Sequence, residues 1–253
     1  MSKSALVAFA LAFAVAGQSH AVPIPPAGIG GAAIGLFVDG DYYGLTSYLE
    51  MTPNGSGDYR FGGADGTPLV FGAGGLEFEI EGFLNPDPVV HYSLGISNDT
   101  AAPKSFDFIF TVPLAPPVTG PYTVQSLVSA GAVDRNDGVI TVTHSVFPLL
   151  QRSFVDTDSD LLNGATALPV DVGPDYSGGL FPGYGAHSTP IVAGVPGTWN
   201  FLHVEISGTL SAGDLFSPSG STEIFFTVPL PVTLPLVITG LIVLGWARRP
   251  RRR

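Results

Sequence analysis

The sequence predicts an all-β protein whose body is an antiparallel β-sandwich or jelly roll, with an N-terminal signal peptide and one C-terminal hydrophobic helix outside it. Three observations carry this. Short runs alternate apolar and polar residues with a period of two, the pattern of a strand with one buried face. The runs are punctuated by turn residues drawn from 33 Gly and 23 Pro. Between Val22 and Thr227 no stretch of any length repeats with helical periodicity. The 253 residues divide into a signal peptide at 1–21, one acidic β domain at 22–227 and a C-terminal segment at 228–253.

Val22 to Ile34 is rich in Pro and Gly and reads as a lead-in. Leu36-Phe37-Val38 is the first strand, ended by Asp39-Gly40, and Tyr42 to Leu49 is a second. Thr52 to Thr67, dense in Gly, Asn and Asp, reads as an exposed loop. In the next strand Leu76, Phe78 and Ile80 alternate with Glu77, Glu79 and Glu81, so one face is buried and the other wet and acidic. Val90 to Ser97 follows, then Phe106 to Val112, which the sequence closes with a turn at Pro113 to Pro117. Tyr122 to Val128 and Val139 to Val146 flank Asp134-Arg135-Asn136-Asp137-Gly138, a hairpin signal because Asp and Gly tolerate positive φ. Beyond Leu149 the pattern loosens. Phe154 to Leu162 is acidic, Ala167 to Val172 is a short strand, and Gly173 to Gly197 is loop-like. Trp199 to Leu210 and Glu223 to Val228 close the body, separated by Ser211 to Ser221.

The ends are processing segments. Lys3 precedes an apolar run of 12 residues from Ala5 to Ala16, followed by a polar step with small residues at Ser19 and Ala21. A positive start, a short apolar stretch and a small-x-small site predict a secretory signal peptide cut after Ala21. A run of that length is short of the ~20 residues a spanning helix needs. With both ends removed, only Arg60, Lys104, Arg135 and Arg152 face 21 acidic residues, a net charge of −17. That field repels nucleic acid and anionic lipid, so nucleic-acid binding is excluded. The absence of cysteine rules out thiol catalysis, thiolate zinc sites and attachment through an N-terminal lipidated cysteine.

The C-terminal segment has three parts in fixed order. Val228-Pro229-Leu230-Pro231 comes first, then 16 uncharged residues from Val232 to Ala247, then Arg248, Arg249, Arg251, Arg252 and Arg253 around Pro250. As a helix the apolar part is ~24 Å long at ~1.5 Å per residue. Adding Leu230 and Pro231 and letting the arginines snorkel brings it close to a thin bilayer. Positive charge stays on the cytoplasmic side, which places the C-terminus inside and the β body outside.

This order of Pro-containing motif, hydrophobic span and terminal Arg cluster resembles the PEP-CTERM type of sorting signal. The core motif of that signal is Val-Pro-Glu-Pro. Here Leu230 stands where the glutamate would be, as in the Val-Pro-Leu-Pro variant. The resemblance covers about residues 228–253 and implies export by a Gram-negative bacterium. It also implies a transient stay in the inner membrane and handling by an exosortase-type processing enzyme that reads Val228 to Pro231. The implied destination is the cell surface or the extracellular polymer matrix. The bodies of such proteins differ, so nothing about residues 22–227 is carried over.

Within the body, Asp156, Asp158 and Asp160 sit at alternate positions before Asn163-Gly164, like the first oxygen ligands of a calcium loop. Leu161 and Ala167 stand where an EF-hand needs glycine and glutamate, so the loop is either a solvated acidic turn or a low-affinity calcium site. No other cofactor is indicated. The histidines form no i, i+4 pair, and His91 and His203 fall in strands whose exposed face would take them. Glu77, Glu79 and Glu81 share a strand face and could mimic paired glycosidase carboxylates, although same-face neighbours on an exposed strand are the commoner explanation. Trp199, Tyr42, Tyr43 and Tyr48 are candidate stacking platforms, and Tyr176 and Tyr184 in the Gly-rich region are the ligand-binding candidates.

These features support two readings. The first is a non-enzymatic structural or adhesive protein sorted to the surface or matrix. The alternative is a secreted carbohydrate-binding or carbohydrate-active β-sandwich protein whose partner is an extracellular polysaccharide.

Overall fold

A computed structural model describes residues 31–46, 52–53, 58–62, 67–136, 138–143, 149–159, 165–178 and 183–226. The signal peptide, Val228 to Pro231, the apolar span and the terminal arginines lie outside the described residues. In chain order the strands are β1 (Ala33–Val38), β2 (Asp41–Gly44), β3 (Thr52–Pro53), β4 (Tyr59–Phe61), β5 (Leu69–Ala73) and β6 (Leu76–Asn85). β7 (Val89–Ser97), β8 (Lys104–Thr119), β9 (Tyr122–Val133), β10 (Ile140–Thr143), β11 (Leu149–Asp156) and β12 (Thr166–Ala167) follow. The last six are β13 (Val172–Pro174), β14 (Tyr176–Gly178), β15 (Gly183–Ser188), β16 (Val192–Ala193), β17 (Thr198–Leu210) and β18 (Leu215–Phe226).

They form two antiparallel sheets. Sheet A runs β12-β11-β17-β8-β1-β2, with β10 beside β17, β14 beside β10 and β13 beside β11. Sheet B runs β15-β9-β18-β7-β6-β4-β3, with β16 on β9 and β5 on β6. Each strand's alternation decides which residues meet between the sheets. Phe106, Phe108 and Phe110 of β8 are buried, as are Phe78 and Ile80 of β6 and Tyr92 of β7. Phe78 meets Phe108 edge-on at 5.2 Å, and Tyr92 stacks on Phe110 at 5.5 Å. Each such ring stabilises the sandwich by ~1.5–3 kcal/mol through burial alone.

A polar knot crosses this core. Tyr92 Oη donates to Gln151 Oε1 at 2.6 Å, and Gln151 Nε2 donates to Thr222 Oγ1 at 2.9 Å. Thr222 Oγ1 also meets Ser126 Oγ at 2.8 Å and Ser153 Oγ at 2.7 Å. Gln151 and Ser153 come from β11 in sheet A, the others from sheet B. Because the hydroxyls have partners, the desolvation cost of burying them is offset, and the knot fixes one alignment of the two sheets.

Several expectations are corrected. Pro113 to Pro117 is no turn: β8 runs straight through it to Thr119, with a cis Ala115–Pro116 bond. It can do so because β17 pairs with Pro113 and then, across a register shift, with Val118 and Thr119, so the ladder skips 114–117 and with them Pro116 and Pro117. Residues 134–138 do not close a hairpin. β9 pairs with β18 in sheet B, whereas β10 pairs with β17 in sheet A, so the segment carries the chain between sheets. The true Asp-Gly turn is Asp39-Gly40, both at positive φ (49° and 90°), where Val38 pairs with Asp41 as a two-residue primed turn requires. The supposed loop at 52–67 contains β3 and β4 and buries Phe61 in the core. The loop-like 173–197 supplies β14, β15 and β16 and most of β13.

Candidate functional site

The sequence candidates separate when folded. Asp156 ends β11, is 2 % exposed, and accepts the Thr157 amide at 2.6 Å and the Asp158 amide at 3.3 Å through Oδ1. It caps its own turn, while Asp158 is exposed and Asp160 lies outside the described residues. Among the described residues no three His, Asp or Glu side chains gather as metal ligands would. Tyr176 and Tyr184 do meet, edge to face at 5.6 Å. Tyr184 is nevertheless no open platform: it is 6 % exposed, packs on His187 and Phe216, and donates its hydroxyl to the Pro174 carbonyl at 2.8 Å. Burial also pushes its phenol well above the usual range.

His91 is exposed as expected and stacks on Phe83 at 5.2 Å. His203 is corrected: it is buried, with Nδ1 2.9 Å from Thr111 Oγ1. Trp199 donates Nε1 to the Val195 carbonyl at 3.0 Å. Glu77 and Glu79 are exposed and Glu81 half-buried on the outer face of sheet B. A shallow hollow beside them, at the β5–β6 turn, is lined by that turn, Glu77 and Asp99 and offers no aromatic ring.

The outer face of sheet A holds a candidate site of which the sequence points only to Tyr42. Because Phe106, Phe108 and Phe110 point into the core, Asp107 points out. Its row continues across four strands, from Ser207 of β17 through Asp107 to Phe37 of β1 and Tyr42 of β2. One row along, Glu205 of β17 stands opposite Arg152 of β11, and their side chains pair at 3.3 Å. Both are recessed, with side chains 16 % and 15 % exposed. Arg152 also lies 4.7 Å over the Phe154 ring. Asp171, just before β13, accepts the Ser153 amide and is within electrostatic reach of both Arg152 and Glu205.

The electrostatics of this recess are unbalanced. Burial pushes Asp107 well above the ordinary carboxylate range, the Glu205 charge adds to it, and Arg152 opposes it. Burial likewise raises Glu205 and Asp171, again against Arg152. Asp107 Oδ1, Asp171 Oδ1 and the Tyr42 hydroxyl are all buried with no hydrogen-bond partner. Phe37 and Tyr42 close one end as a tilted ring pair, 5.1 Å apart. Aromatic faces beside unsatisfied acceptors suit a ligand that offers both C–H surface and polar donors.

No protein-family model matches the chain, and no curated protein matches it. Solved structures that match include a carbohydrate-binding module in complex with beta-1,4-galactotriose, at 13 % identity and a TM-score of 0.28. That match covers 58 % of this chain and 87 % of the module. Another comes from a study of carbohydrate-binding modules of the β-sandwich superfamily, at 8 % identity and a TM-score of 0.30. It covers 81 % of this chain and all of the other (100 %). At these values the likeness assigns no ligand to this chain.

Proposed function

We propose that the body is a non-catalytic carbohydrate-binding β-sandwich, exported and then sorted to the cell surface or matrix by its C-terminal segment. The observation that supports it is the recess on sheet A, where Phe37 and Tyr42 stand at one end and Asp107, beside Phe37 in register, holds a buried oxygen with no partner. Sugar hydroxyls are natural donors to such oxygens, and the C–H face of a pyranose packs on a ring. This favours a binding role over a purely structural one, since a scaffold gains nothing from recessed, unsatisfied acceptors. The sorting half of the reading rests on the tail resemblance.

The test is a glycan array probed with the full-length protein, followed by titration of the best oligomer. Saturable binding is expected, with the oligomer recovered intact. Phe37→Ala should weaken it about two- to tenfold, as loss of one stacking partner implies. Absence of saturable binding to every glycan would sink the reading.

A further inference from the structure

We infer that the recess on sheet A selects a cationic sugar, a polymer bearing protonated primary amines, over neutral or uronic-acid glycans; this rests on the carbohydrate-binding reading. Asp107, Glu205 and Asp171 share a single guanidinium, that of Arg152. Fully ionised, the three would carry two negative charges more than Arg152 offsets, a state that burial disfavours until a cation enters, and the oxygens left over are buried ones, Asp107 Oδ1 and Asp171 Oδ1. A neutral hydroxyl satisfies such an oxygen as an acceptor and leaves the charge uncompensated. An ammonium group does both, with three donors and a full positive charge in a site partly shielded from water.

The neighbours fit the same ligand. Phe37 lies beside Asp107 in register, and its ring and that of Tyr42 offer a face for a cation or for the sugar ring. The Tyr42 hydroxyl, buried and unpartnered, can accept from or donate to the same sugar. The other residues of the two rows, Ser207, Ile109, Gly35 and Gly44, are uncharged, and Arg152 is the cation that acts on all three carboxylates. A divalent metal is a poorer occupant, because among the described residues no three carboxylates converge on one point. An acidic glycan is repelled by the body's net charge of −17, from four basic and 21 acidic residues.

The experiment titrates the full-length protein with glucosamine oligomers, the same oligomers fully N-acetylated, neutral glucose oligomers and oligogalacturonate. Acetylation removes the positive charge from nitrogen and adds an acetyl group, and the neutral glucose oligomers control for that added bulk, so the comparison needs no variant and no assumption about folding. Glucosamine oligomers should bind about tenfold or more tightly than their acetylated form, and Asp107→Asn should remove most of that preference. Tyr42→Phe, which keeps the ring, should weaken both sugars alike. Equal affinity for free and acetylated amines, or a preference for oligogalacturonate, would overturn the cationic-sugar inference and leave carbohydrate binding standing. Binding of none of the four overturns the cationic-sugar inference, and carbohydrate binding falls with it only where the glycan array is silent as well.

Discussion

Asp107 sits where its own strand is unambiguous and its neighbours are not. The alternation Phe106-Asp107-Phe108-Ile109-Phe110 makes it an outward residue on sequence alone. That it shares a recess with Glu205, Arg152 and Asp171 depends on which strands lie beside β8 and β11, information absent from any local pattern. The same limit misplaced His203, whose strand was legible while the burial of its outer face was not. The pH dependence of stability follows from the recess. Asp107, Glu205 and Asp171 all have folded pKa values raised above their unfolded ones, chiefly by burial. The native state therefore holds more protons than the unfolded chain, and stability falls as pH rises from the ordinary carboxylate range through these raised values. Asp39, lowered by its bond to Lys104, acts in the opposite sense, but the pair is solvent-exposed and contributes little. Denaturant unfolding across pH should thus show greatest stability in mild acid, and Asp107→Asn should flatten the decline and stabilise the neutral protein by about 1 kcal/mol. A wild-type profile rising from mild acid to neutrality would count against the placement of these carboxylates.

Strands were legible where one face is plainly wet, and illegible where both faces are covered or the chain is short. β6, with its Leu-Glu-Phe-Glu-Ile-Glu alternation, shows both its type and its buried face in the sequence. β11 was not, because Leu150, Gln151, Ser153, Phe154 and Val155 are all buried and leave no period of two. Its polar residues Gln151 and Ser153 belong to the inter-sheet knot, and the sequence gives no sign that Thr222 and Tyr92 will supply their partners. β18 hides for a related reason: its start, Leu215 to Ser221, is Ser-, Gly- and Pro-rich, yet it lies between β7 and β9 in sheet B. Gly220 of this strand tests how tightly the knot is built. A Cβ there would stand 2.5 Å from the Leu127 carbonyl, 2.6 Å from Tyr92 Oη and 2.7 Å from Gln151 Oε1. None of these can withdraw without breaking the ladder or the knot, so Gly220→Ala should cost about 2–3 kcal/mol in chemical unfolding. Ser221→Ala, one residue along on the half-buried outer face, is the control and should cost under about 0.5 kcal/mol. Equal effects of the two would mean the knot does not constrain the sheets.

At the scale of the whole chain, charge is partitioned in a way the body does not need for folding. All 21 acidic residues lie between Asp39 and Glu223, while five of the ten basic residues are the terminal arginines. In one soluble particle these arginines would be drawn to the acidic surface. Placed across a bilayer from it, as the proposed export implies, they serve instead to hold the C-terminus on the cytoplasmic side. β18 ends at Phe226, with only Thr227 before Val228, so the proposed processing motif follows closely on the last strand and cutting there removes no described residue of either sheet. The body would then leave the membrane with its sandwich complete and its net charge of −17 unshielded by arginine, from four basic against 21 acidic residues. That charge repels acidic polymers and draws in amine-bearing ones, in keeping with the inferred ligand. Intact-mass analysis of protein recovered from the cell surface or culture matrix should show a species lacking the signal peptide and the residues beyond the Val-Pro-Leu-Pro motif, arginines included. Protein found only in the inner membrane, with the mass of the chain through Arg253, would make the segment a permanent anchor and remove the sorting half of the proposal while leaving the sandwich and its recess intact.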